Sequence, residues 1–153
     1  MDKINLNPVF TKIILLLLFI FITIITFILT SNKQSNLYNQ ILDFSKNNQK
    51  IILSELTDFD WDVAYIDRQY YHKGEYLKEK YHIEGDFQLL ETDFSSRIAF
   101  CKNNKLVYDM ILNNFYFEID DTIKIINPKD SLKIKWIITK GQKEKKLLLL
   151  PNN

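Results

Sequence analysis

The chain has 153 residues, with 20 Lys and Arg against 19 Asp and Glu. Setting aside Lys3, Lys12 and Asp2 leaves 18 of each sign over residues 31–153. A neutral region has no general electrostatic hold on a phosphate backbone, so no nucleic-acid partner is expected. The one cysteine, Cys101, cannot form an internal disulfide.

Residues 1–12 read as a cytoplasmic tail and residues 13–30 as a transmembrane anchor in contact with the lipid bilayer. From Ile13 to Leu29 there is no charge, no Gly and no Pro. At about 1.5 Å per residue, such a helix comes close to the roughly 30 Å hydrocarbon core. It has no polar face for solvent, which argues against a helix in a water-soluble core. Cleavage as a signal peptide fits poorly: a cut after Thr30 would leave Ile28 at the third position, and a cut after Ser31 would leave Leu29, where small residues are needed. Lys3 and Lys12 on one flank are nearly matched by Lys33, Lys46 and Lys50 on the other, so charge hardly sets the orientation. A short tail before an anchor commonly stays in the cytoplasm. The expected location is therefore a single-pass protein of the cell membrane with its domain outside the cytoplasm.

Residues 31–49 read as a membrane-proximal helix. A polar joint, Ser31 to Ser35, precedes Leu37, Ile41 and Phe44 at helical spacing, and Asn47 and Asn48 stop the pattern. Residues 50–153 read as an α+β domain, in which an antiparallel meander sheet carries one or two packed helices. Ile51 to Leu53 suggests a short strand and Ser54 to Thr57 a tight helical turn. From Trp61 the pattern is a buried strand, with Trp61, Val63 and Tyr65 on one face and Ala64 and Ile66 on the other. A helix is predicted over 73–82, with Leu77 and Tyr81 on one side; Gly85 ends it. Strands over 97–102 and 105–112 flank Asn103-Asn104, which tolerate the left-handed backbone of a two-residue hairpin. Phe115, Phe117 and Ile119 alternate with polar neighbours. A strand over 122–126 follows a two-Asp turn, and Pro128-Lys129-Asp130 makes another turn. Leu132, Ile134, Trp136 and Ile138 alternate with lysines, a strand with one buried face. Gly141 marks the last hairpin, and 146–150 returns. Lys140, Lys143, Lys145 and Lys146 read as a solvated hairpin tip.

Chemistry-bearing patterns are sparse. Asp58, Asp60 and Asp62 open like a calcium loop, but the positions that need Gly and a closing acid hold Val63 and Gln69. His72, His82 and Cys101 lack zinc spacing, so no metal is expected. Cys101, between Ala99, Phe100 and Lys102, reads as a small core hydrophobe. No nucleophile elbow or phosphate-binding loop is present, and no cofactor is expected. The candidate binding residues are Asp60, Asp62, Tyr65, Tyr70, Tyr71 and His72. Tyr76 and Tyr81 would add to a tyrosine-lined surface, since tyrosine suits interfaces.

The run Phe59-Asp60-Trp61-Asp62-Val63-Ala64-Tyr65 resembles an F-x-W-D-x-x-Y strand of small, uncharacterised bacterial envelope proteins that carry a membrane or lipid anchor. The turn from Phe100 to Lys105 is similar to theirs, with Asn in place of Gly. The resemblance covers about residues 50–112. It implies a fold and an envelope location and carries no catalytic residues. The expected function is a membrane-anchored extracytoplasmic binding module acting on a protein partner in the envelope, of inhibitor or immunity type. The alternatives are an anchored sensor or small-ligand-binding domain with an aromatic groove near Trp61 and Tyr70, and an envelope enzyme using Asp60, Asp62 and Glu75.

Overall fold

A computed structural model describes residues 8–69, 72–138 and 145–152. The protein is α+β, with three helical segments and two four-stranded sheets. Its contacts divide it into two units, residues 1–36 and 37–153. Helix α1 (Pro8–Ser45) begins in the first unit. There, nine successive side chains from Ile14 to Ile22 are 44–66% exposed, so none of the helix circumference is turned into a core. Thr23 returns its hydroxyl to the Ile20 carbonyl at 2.7 Å, which spares that polar group from needing water. Among the described residues no helix is long and apolar enough to cross a membrane. Within the expected anchor, 13–30, side chains are described only for 14–23, and the rest of that expectation lies outside the described residues.

In the second unit the strands form two sheets rather than the one meander expected. The first has the order β1 (Lys50–Ile52), β7 (Ser131–Ile138), β8 (Lys145–Pro151), β5 (Phe117–Ile119). The second has the order β4 (Lys105–Asn113), β3 (Ser95–Lys102), β2 (Val63–Asp67), β6 (Ile125–Ile126). The hairpins β3–β4 and β7–β8 are local, as the sequence suggests. Beyond them the meander breaks, because β5 runs parallel to β8 and β6 returns to pair with β2. That pairing buries Phe117 and Ile119 while Glu118, between them, meets Lys146. The alternation is satisfied without β5 pairing its sequence neighbour.

The main core lies between the sheets. Ala64, Ile66, Ile98, Phe100, Met110 and Leu112 from the second sheet meet Phe117, Ile119, Leu132, Ile134, Leu147 and Leu149 from the first. Leu37 and Ile41, on the last turns of α1, are buried in the same core. A second cluster covers the other face of β2 and β3, where Leu77, Ile83 and Phe87 pack on Ala99 and Cys101.

Local expectations change as well: the strand over 122–126 is only β6, and Phe115 and Ile138, expected on buried faces, are exposed. Trp61 is buried, but it packs with Ala64 and Ile66 rather than sharing the face of Val63 and Tyr65. The strand begins only at Val63, and the chain bends at Asp62, whose N–H donates to the Cys101 carbonyl at 2.8 Å. Strand alternation therefore does not reach back to Trp61. The second helix, α2 (Glu75–Tyr81), is shorter than 73–82, because Gly74 and His82 on its flanks both adopt left-handed backbone. The Asn103-Asn104 turn is as expected, with φ of 50° and 59°. The tight helical turn is a 3-10 segment, Leu53–Glu55. Gly141, Lys140 and Lys143 lie outside the described residues.

Candidate functional site

Among the described residues, the expected binding residues Asp60, Asp62, Tyr65 and His72 are not gathered at one site. Asp60 and Asp62 lie before β2 and serve the β3–β4 hairpin. Asp62 accepts the Asn103 N–H at 2.8 Å, and Asp60 meets the Lys102 ammonium at 3.1 Å. Both partners hold the loop before β2 to the hairpin turn. His72 lies past the other end of β2, exposed, 3.6 Å from the Glu75 carboxylate. A five-residue strand separates the two groups by about 16 Å at roughly 3.3 Å per residue. Asp60, Asp62 and Glu75 therefore do not form a carboxylate site. Tyr70 and Tyr71 lie outside the described residues.

Tyr65 is brought together with Tyr81 and Tyr76. Its ring lies 4.3 Å from that of Tyr81, and Tyr81 meets Tyr76 edge-on at 6.1 Å. Helical spacing from Tyr76 to Lys80 then puts the ammonium over both rings, 5.0 Å from Tyr76 and 5.1 Å from Tyr81. The Lys80 ammonium also donates to the Tyr76 hydroxyl at 2.6 Å. That bond holds the Tyr76 phenol below its usual range and raises Lys80. Burial pushes Tyr65 the other way, upward. All three tyrosines are half-buried, so this face of α2 presents aromatic ring edges and a cation to solvent.

A group of charges that the sequence reading missed sits under the α2 side of the second sheet. Strand register sets Asp67 opposite Arg97, and Arg97, Ala99 and Cys101 alternate on the covered face. The Arg97 side chain is fully buried. Its Nη1 lies 3.2 Å from Asp109 Oδ2 and its Nε 3.6 Å from Asp67 Oδ2. Its Nη2 donates to the carbonyls of Gln88, at 2.5 Å, and His72. The Phe87 ring closes over the guanidinium at 5.2 Å. Burial raises Asp109, against the lowering effect of Arg97. The arrangement ties β2, β3 and β4 to the segment carrying α2. Two lone acids and one base at inward positions of apolar strands were the available signal. The spacing of two from Arg97 to Ala99 to Cys101 would have placed the arginine inside.

Cys101 is fully buried, and burial pushes its thiol up to about 12, which leaves it a core hydrophobe. Among the described residues no group of three or more His, Cys, Asp or Glu could hold a metal. An open groove of about 590 Å³ runs past Thr122, Lys124, Asp130, Leu132 and Pro151. It contains none of the candidate residues above. No family model matches this chain, and comparison with curated proteins and with solved structures finds no match.

Proposed function

We propose that this protein is a membrane-anchored, extracytoplasmic interaction module that binds a protein partner in the cell envelope through the tyrosine face of α2. One observation carries the reading: Tyr65, Tyr76 and Tyr81, packed on the second core cluster, stack beside Lys80 and turn part of their rings and the ammonium to solvent. Tyrosine offers large contact area at little entropic cost, and aromatic residues are enriched where proteins meet. Anchoring by residues 13–30 is supported by the unbroken exposed apolar run from Ile14 to Ile22, which water would penalise and lipid would accept.

An aromatic groove around Trp61, as a small-ligand sensor would need, is not favoured. Trp61 is buried edge-on against Phe100 at 5.1 Å and spends its N–H on the Thr57 hydroxyl. The test is photo-crosslinking of the full chain in its native membranes. A photoreactive residue at Tyr76 should give a discrete adduct with an envelope protein, and one at exposed Lys133 should not. Equal adducts at both positions, or none at Tyr76 in a chain that fractionates with membranes, would contradict the reading.

A further inference from the structure

Among the described residues of the second unit, four of the seven exposed large apolar side chains lie together. The three most exposed are Ile138 at 68%, Phe94 at 56% and Tyr116 at 48%, and all three lie at one end, together with Phe115. Register fixes this. Ser95 pairs with Asn113, so Phe94 and the residues after β4 leave the sheet side by side. The Asn114 N–H donates to the Phe94 carbonyl at 2.7 Å, and the rings of Phe94 and Phe115 stack at 4.5 Å. Tyr116 accepts the Leu147 N–H, which brings the start of β8 alongside. Lys145, two residues earlier, pairs with Ile138. Single exposed apolar residues are ordinary, but a cluster with a stacked aromatic pair marks a surface that meets something apolar.

The same end receives the chain from the first unit. Leu37, the first residue of the second unit, is buried, and the Tyr38 ring lies 5.9 Å from Phe117, next to Tyr116. From Leu29, the end of the apolar run, to Leu37 there are eight residue steps. Even fully extended these span at most about 28 Å. With residues 13–30 in a bilayer, this end is held close to the lipid surface at high effective concentration. The Asn103-Asn104 tip lies at the far end of β3, about 26 Å away at roughly 3.3 Å per residue.

We propose that Phe94, Phe115, Tyr116 and Ile138 form a seat that rests in the interfacial region of the phospholipid bilayer, resting as an inference on the anchor part of the reading above. Aromatic rings favour that region because it accepts an apolar body and a polar tip together. Lys145 is exposed beside the seat, but Glu91 and Asp93 are exposed next to Phe94. Among the described residues beside the seat the exposed charges are of both signs, so the aromatic contribution is read on zwitterionic lipid, where no net lipid charge adds to it. A seat of this kind would fix the height and tilt of the α2 tyrosine face above the membrane.

The test uses the full chain in vesicles of phosphatidylcholine brominated on the acyl chains. Tryptophan is introduced by F115W in one variant and by V107W, near the hairpin tip, in the other. The native Trp61 and Trp136 give both the same background. Bromolipid should quench F115W several-fold more than V107W, and acrylamide should show the reverse order. Equal bromolipid quenching of the two in a chain that floats with the vesicles overturns the seat and leaves the anchor standing. A chain that fails to float overturns both. Phe115 is exposed, so F115W should melt like the parent.

Discussion

Arg97 meets Asp109 inside the protein, guanidinium to carboxylate at 3.2 Å, with both side chains almost fully shielded from water. Replacing Arg97 by Met would leave Asp67 and Asp109 as buried acids without their cation. Breaking a buried pair in this way costs about 3–5 kcal/mol. That is a large share of the roughly 5–15 kcal/mol that holds a domain. Urea unfolding should show it as a lower midpoint; an unchanged midpoint would mean the cluster contributes nothing.

Asp109 also gives a pH signature. Its folded value is raised above the ordinary 3.8, first by burial. The folded state thus holds the proton more tightly than the unfolded chain. Its contribution is fully present below 3.8 and is lost as pH rises through the folded value. Asp109→Asn removes that loss, so the variant should gain on the parent as pH rises above 3.8, read by paired thermal melts. A constant difference across that range would count against a raised Asp109.

The β3–β4 hairpin was legible because Asn103 and Asn104 supply a local signal, the left-handed turn, between two apolar runs. β7 was legible from the alternation of Leu132, Ile134 and Trp136 with lysines, but Ile138, expected on the same buried face, is exposed where the strand runs out past the core. The β5–β8 pairing was not, because Phe117 and Ile119 state only that one face is buried and not which strand covers the edge. The tyrosine face was half legible. Helical spacing joins Tyr76, Lys80 and Tyr81, but Tyr65 reaches them only through the packing of α2 on β2. The Arg97 cluster needs three strands and a loop to assemble, and no single segment announces it.

Asp62 and Asp60 should separate on mutation. Asp62→Ala removes an acceptor from the Asn103 N–H in the turn, which should cost about 1 kcal/mol. Asp60→Ala removes an exposed ion pair with Lys102, worth about 0–0.5 kcal/mol. Hydrogen exchange at Asn103 should rise in the first variant only. Equal losses would show that the two acids share one role.

Truncation should distinguish where the second unit begins. Removing residues 1–31 leaves Leu37 and Ile41 in place, and the fragment should fold. Removing residues 1–46 strips both from the core, where Ile41 is 0% exposed. Deleting two large buried aliphatics costs at least about 4 kcal/mol at 2–5 each, enough to unfold a marginal domain. Circular dichroism melts of the two fragments make the comparison. Equal melts would place α1 outside the core.

Gly74 carries the sharpest local constraint. Its φ is +72°, and an added Cβ would fall 2.5 Å from the Phe87 ring. Gly74→Ala therefore has two separable costs. The left-handed backbone disfavours a side chain by about 1–2 kcal/mol, and forcing a methyl against a packed ring adds about 1–3 kcal/mol. Phe87 cannot simply step aside, because its ring also covers the Arg97 guanidinium at 5.2 Å. Phe87→Leu alone should destabilise by opening that contact. In the double variant the steric cost disappears while the backbone cost remains. The double variant should accordingly be more stable than the sum of the single losses predicts, by roughly the steric term of 1–3 kcal/mol. Chemical denaturation of the four proteins closes the cycle. Strict additivity would mean that Gly74 is selected by its backbone alone and that Phe87 does not set the start of α2.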